Sequence, residues 1–143
     1  MIVYEGLFFR DNELIRSLEK NKLPKIYKVL HCTFKYKPSE EEIFYDLFGR
    51  EFEIKLIGYG SDSNNSGFEI ELPKELEKYF INYDIDGSLK VPHITASLSE
   101  NADSNKTKDL VFLPLESEIK IIGKFGCLIR ENNSEYVRYD IKK

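Results

Sequence analysis

Tryptophan is absent from this sequence, methionine occurs once, and cysteine occurs only twice, at Cys32 and Cys127. Two cysteines without C-x-x-C or zinc-ligand spacing exclude a disulfide scaffold and a zinc module, so a reducing, cytoplasmic setting is the expectation. Basic charge is also in short supply, with 21 Lys and Arg against 25 Asp and Glu, a net charge of −4. Without a surplus of cations to neutralise backbone phosphates, a protein that coats long duplex nucleic acid is excluded. A local pocket for a nucleotide or an RNA end is not, because it needs only a few donors. No apolar run approaches the roughly 20 residues that span a bilayer, and the apolar stretch after Met1 lacks the basic flank of a secretory leader. No membrane contact is expected. Nothing reads as a linker long enough to separate two folding units, so residues 1–143 are read as one domain, and a monomer is expected. Hydrophobic residues at 41%, aromatics at 13% and charged residues at 32% suffice for a core and a solvated exterior.

The apolar periodicity predicts a mixed architecture. Residues 1–9 are apolar on both faces apart from Glu5, as in a central strand. Asp11 stands at an N-cap position before Leu14, Ile15 and Leu18, which predicts a short helix over 11–20. Residues 26–36 alternate, with Leu30, Cys32 and Phe34 on one side and His31, Thr33 and Lys35 on the other. Ser39 with the acidic run after it predicts a helix to about residue 48, ended by Gly49. A hairpin over 52–72 carries a long polar tip, and Pro73 opens a helix that runs to about residue 82. Residues 83–90 read as a turn. Strand character resumes over 91–99, where His93, Thr95, Ser97 and Ser99 alternate with Ile94, Ala96 and Leu98. A polar loop over 100–108 precedes two closing strands over 118–130 and 135–141. The sum is α+β.

Chemistry gathers at one pattern. The chain has two histidines, and each is followed two positions later by threonine, in "HCT" at 31–33 and "HIT" at 93–95. Threonine occurs only three times in the whole chain, so a chance doubling has odds on the order of one in a thousand or less. On a strand, the two-residue offset places imidazole and hydroxyl on the same side. Imidazole changes charge near neutral pH, so two of them can act as proton acceptor and proton donor in one site. A hydroxyl beside each can hold a non-bridging phosphate oxygen.

The paired H-x-T motifs, about 60 residues apart, together with "HCTFKYKPSEEE", "GFEIELP", "VPHITASLSENADSN" and "IIGKFG", resemble the 2H phosphoesterase superfamily, and most closely its tRNA-ligase-like cyclic phosphodiesterase module. The resemblance implies a two-lobed fold, with antiparallel sheets around a central cleft and helices outside. It implies His31 and His93 as the catalytic pair, Thr33 and Thr95 as phosphate ligands, and no cofactor or metal. The implied reaction is hydrolysis of a 2′,3′-cyclic phosphate on an RNA terminus or nucleotide. A 2′-phosphate product, common in relatives of the module, would make His31 the acid and His93 the base. Some relatives carry a basic or bulky aliphatic residue after the second motif, where this chain has Ala96 to Ser99. Lys35 is therefore the expected counter-charge for phosphate, with Lys37 and Lys90 nearby in sequence. Tyr36 and Tyr59 are candidates for base or rim contacts, since a ring on a nucleobase contributes roughly 1 to 3 kcal/mol. Cys32 alternates onto the apolar face and is read as packing. A cyclic oligonucleotide or an ADP-ribose cyclic phosphate is an alternative substrate, and a module that binds a nucleotide or RNA end without cutting it is an alternative function.

Overall fold

The computed structural model describes residues 1–84 and 86–143. Among them, β1 (Ile2–Phe9), β2 (His31–Tyr36), β3 (Glu51–Ser61), β4 (Asn65–Glu71), β5 (His93–Leu98), β6 (Leu113–Glu131) and β7 (Ser134–Arg138) form one sheet. All neighbours pair antiparallel, in the order β2-β1-β6-β3-β4-β5. β7 pairs with the end of β6, opposite the edge that β1 occupies. The two end strands of this order, β2 and β5, come together. The sheet thus curls until it nearly closes.

The α+β expectation holds, although the helices are shorter than predicted: α1 covers Asn12–Ser17 and α2 covers Lys74–Glu77. The helix predicted over 39–48 is instead two 3-10 turns, Glu40–Glu42 and Tyr45–Leu47. A tertiary bond is the reason. Phe44 N–H donates to the buried Glu5 carboxylate (3.0 Å), and the residue before it, Ile43, is extended (φ −82°, ψ 119°). This break lets Leu47 enter the core and sets the Phe48 ring edge-on to Phe125, with centroids 5.4 Å apart. The helix after Pro73 likewise ends early, where Phe80 meets Phe34. The turn expected over 83–90 includes residue 85, which lies outside the described residues.

β2 begins at His31 and not at residue 26, because residues 25–30 cross the open side of the sheet. Lys25 bridges Leu98 at the end of β5, while Leu30 accepts from Phe9 N–H (3.0 Å) and donates to Asn12 Oδ1 (2.6 Å). That crossing carries Tyr27, Lys28 and Val29 past His31. The polar stretch after residue 100 folds into a 3-10 turn, Ser104–Asp109, whose Asp103 carboxylate caps Asn105 N–H (2.9 Å).

Two β-bulges decide which side chains face the cleft. In the β1–β2 ladder, Gly6 pairs with Thr33 but Glu5 pairs with Lys35, so Phe34 is the extra residue. In the β4–β5 ladder, Gly67 pairs with Thr95 but Ser66 pairs with Ser97, so Ala96 is the extra residue. Both bulges follow the H-x-T threonine directly, and both face a glycine where the backbones run too close for a side chain. A Cβ on Gly6 would lie 2.1 Å from the Cys32 carbonyl oxygen, and one on Gly67 would lie 2.6 Å from that of Ile94. The local geometry of the two strand pairs thus repeats.

Candidate functional site

His31 and His93 line one cleft of about 830 Å³, together with Thr33 and Thr95. The two rings are held alike. His31 Nδ1 lies 3.2 Å from the Val29 carbonyl oxygen and 3.3 Å from the Tyr4 hydroxyl, and His93 Nδ1 lies 2.6 Å from the Val91 carbonyl oxygen. Each ring therefore meets a carbonyl two residues back, which makes the repeated unit V-x-H-x-T, longer by two positions than the motif read from the sequence. An Nδ1–H given to a carbonyl leaves Nε2 as the nitrogen available for proton transfer.

The surroundings of the two rings differ. His31 sits in an aromatic box, with Tyr4 stacked on it (centroids 4.6 Å, 26°), Tyr27 edge-on (4.9 Å, 78°) and Phe8 tilted (5.8 Å, 38°). Burial in that box pushes its pKa down to about 4, with the Val29 carbonyl opposing and His93 adding to the depression. The pKa of His93 is also lowered, first by burial and then by Lys90 and Lys108, against the Val91 carbonyl and Asp109. Both rings are neutral at pH 7 in the free protein.

The threonines are held from behind. The Thr33 carbonyl accepts from Asn82 Nδ2 (3.0 Å). Thr95 Oγ1 bonds Thr107 Oγ1 (2.9 Å), which also accepts from Asn65 Nδ2 (3.0 Å). All three threonines of the chain are thus at or behind the site, the third delivered by the 3-10 turn that was read as a loop. Lys90 and Asn105 complete this wall, with Lys90 Nζ donating to Asn105 Oδ1 (3.1 Å).

Two expected site residues lie elsewhere. The bulge at Phe34 turns Lys35 to the face of Glu5, where it pairs with Glu42 (3.4 Å) outside the cleft lining. The same bulge brings Tyr36 onto the cleft face, opposite Tyr4, where it is exposed at the rim. Tyr59 is buried against Phe68, and its hydroxyl bonds Ser66 Oγ (2.7 Å), away from the cleft. Ser97 is turned inward by the second bulge and donates to Glu19 (2.7 Å). Cys32 is buried, as expected of packing. Residues that the sequence reading missed line the rest: Tyr4, Phe8 and Tyr27 around His31, and Arg130 and Glu135 on β6 and β7.

Among the described residues, no three or more His, Cys, Asp or Glu side chains group as metal ligands. No helix among them is long and apolar enough to cross a membrane. No family model matches the chain, and no curated protein matches it.

Proposed function

We propose that this chain hydrolyses the 2′,3′-cyclic phosphate of an RNA end or nucleotide to a monophosphate, by general acid–base catalysis between His31 and His93. The observation that carries the reading is the pair of V-x-H-x-T strands. Two imidazoles, each oriented through Nδ1 by a carbonyl two residues back, open into one cleft with a threonine beside each. Simple packing gives no reason for the same orientation twice. The repeated bulge and facing glycine of β1–β2 and β4–β5 support a two-lobed relation of the 2H phosphoesterase kind.

In this reading the phosphorus sits between the two Nε2 atoms. The neutral base takes a proton from water, whose oxygen attacks phosphorus. The bond from phosphorus to one ribose oxygen breaks, and the acid delivers its proton to that oxygen. The pair needs one proton in total; aromatic rings surround His31, whereas Lys90, Lys108 and Asp109 flank His93. The family resemblance implies His31 as the acid and His93 as the base. Arrival of the phosphate anion raises both imidazole pKa values and draws in that proton. The charge on the non-bridging oxygens meets the Thr33 and Thr95 hydroxyls and Lys90, which takes the place expected of Lys35. For Thr95 to donate, the hydroxyl pair rotates, so that Asn65 donates to Thr107, Thr107 to Thr95, and Thr95 to phosphate.

The test is turnover of a nucleoside 2′,3′-cyclic phosphate followed by phosphorus NMR. His31→Ala and His93→Ala are each expected to lose roughly 10²- to 10⁴-fold in rate. Turnover that survives both substitutions overturns the reading.

A further inference from the structure

The cleft continues well past the histidines. On its floor Phe8 faces His31, Gly6 faces Thr33, and Tyr4 lies between Tyr36 of β2 and Leu128 of β6. The rows of Phe8 and Tyr4 are four residues apart, roughly 13 Å along a strand. β7 extends the floor, since Leu128 pairs with Val137, and Arg130 with Glu135 two residues further on, which adds about 7 Å. All of these far-end residues line the same hollow as the histidines.

The far end is built for a flat, electron-rich group. Arg130 donates from Nε and Nη2 to one Glu135 oxygen (2.9 and 2.5 Å), a half-exposed pair that orients the guanidinium in the same cleft lining as the apolar Leu128 and Val137. A guanidinium plane is a stacking surface for a nucleobase. The adjoining Glu135 carboxylate repels a phosphate, so the base and not the backbone meets Arg130. The cleft lining nonetheless carries three cations, Lys28, Lys90 and Arg130, against the one carboxylate of Glu135, in a chain of net charge −4. Positive charge is concentrated where a polyanion would lie.

We infer that the hairpin end of the cleft is a second subsite that takes the nucleotide adjoining the one cleaved, its base stacked on the Arg130 guanidinium and its backbone running along Tyr4 and Tyr36. The inference rests on the cyclic phosphodiesterase reading and makes the substrate an oligonucleotide end in preference to a free mononucleotide.

Calorimetry with two unreactive products, a nucleoside monophosphate and the dinucleotide that ends in it, tests the subsite separately from catalysis. The dinucleotide is expected to bind at least tenfold tighter. Arg130→Ala is expected to remove that gain and to leave mononucleotide affinity within twofold. Arg130→Lys, which keeps the charge without the plane, is expected to lose most of the gain. Equal affinities for the two products overturn the subsite, as does a gain that survives either substitution. A gain in binding without any turnover of cyclic phosphates sinks the catalytic reading alone and leaves the subsite standing.

Discussion

Opening the aromatic box around His31 is expected to raise the pKa of that ring, and the size of the effect follows from the geometry. The displacement from 6.5 to about 4, at 1.36 kcal/mol per unit, makes the charged ring about 3 kcal/mol less favourable in the fold than in water. Tyr4, Tyr27 and Phe8 share that exclusion of water, and Tyr27 closes the side that the 25–30 crossing covers. Tyr27→Ala is therefore expected to return roughly a third of the penalty, a rise of about one unit. Nitrogen-15 NMR titration of the imidazoles measures this directly, and the acid limb of kcat/KM is expected to move up by the same amount. Stability reports it as well. Because the folded-state pKa is depressed, the unfolded chain takes up the His31 proton first as pH falls, so stability drops between about 6.5 and about 4 and levels off below. In Tyr27→Ala that drop is expected to shrink. A His31 pKa that stays near 4, or falls, would refute burial in the box as its cause.

Other outcomes follow from particular residues. Thr107→Val, isosteric without the hydroxyl, breaks the Asn65–Thr107–Thr95 chain and is expected to raise KM for a cyclic phosphate about 3- to 10-fold with little change in kcat; Thr107→Ser should restore it, and an unchanged KM in steady-state kinetics excludes the role. Glu5 is buried with Oε1 bonded to Phe44 N–H and Oε2 unpartnered, and burial raises its pKa to about 7. The fold then holds this proton more tightly than the unfolded chain does, so its contribution is full below about 4.5 and is lost as pH rises toward about 7. Glu5→Gln is expected to raise thermal stability at pH 8 by about 1 to 3 kcal/mol and to change it little at pH 4; equal effects at the two pH values in a melting experiment contradict this. Gly6→Ala forces a Cβ into the Cys32 carbonyl and is expected to cost more than about 3 kcal/mol in urea denaturation, whereas Gly87→Ala, which meets nothing within 4 Å, should cost only the strain of its positive φ.

The catalytic candidates were legible because they rest on an offset of two within strands, which is local geometry. What lay one step beyond each threonine was not. Strict alternation placed Lys35 beside His31 and Ser97 beside His93, and in each strand one extra residue, Phe34 or Ala96, reverses the phase. The signal was present in Gly6 and Gly67, glycines inside strand patterns, which often mark a bulge or a close backbone approach. Val29 and Val91 repeated the motif upstream and passed unnoticed. Thr107 and Asn105 sit in a polar stretch with no periodicity, so nothing local announced that it would fold against β5. The helix over 39–48 failed for a related reason. Its N-terminal signal was sound, but the Phe44 N–H was claimed by a carboxylate 39 positions away. Arg130 and Glu135 reach the site through ladders that join the two ends of the chain, a relation no window of sequence contains.

The central claim is that both imidazoles grip one phosphorus, and the most direct measurement is a nitrogen-15 NMR titration of the two histidines with a nucleoside 2′-monophosphate. Both Nε2 resonances are expected to shift together along one binding curve with a single Kd, and one proton is expected to be taken up per ligand bound. A ligand that moves only one ring, or two rings that follow different curves, would contradict it.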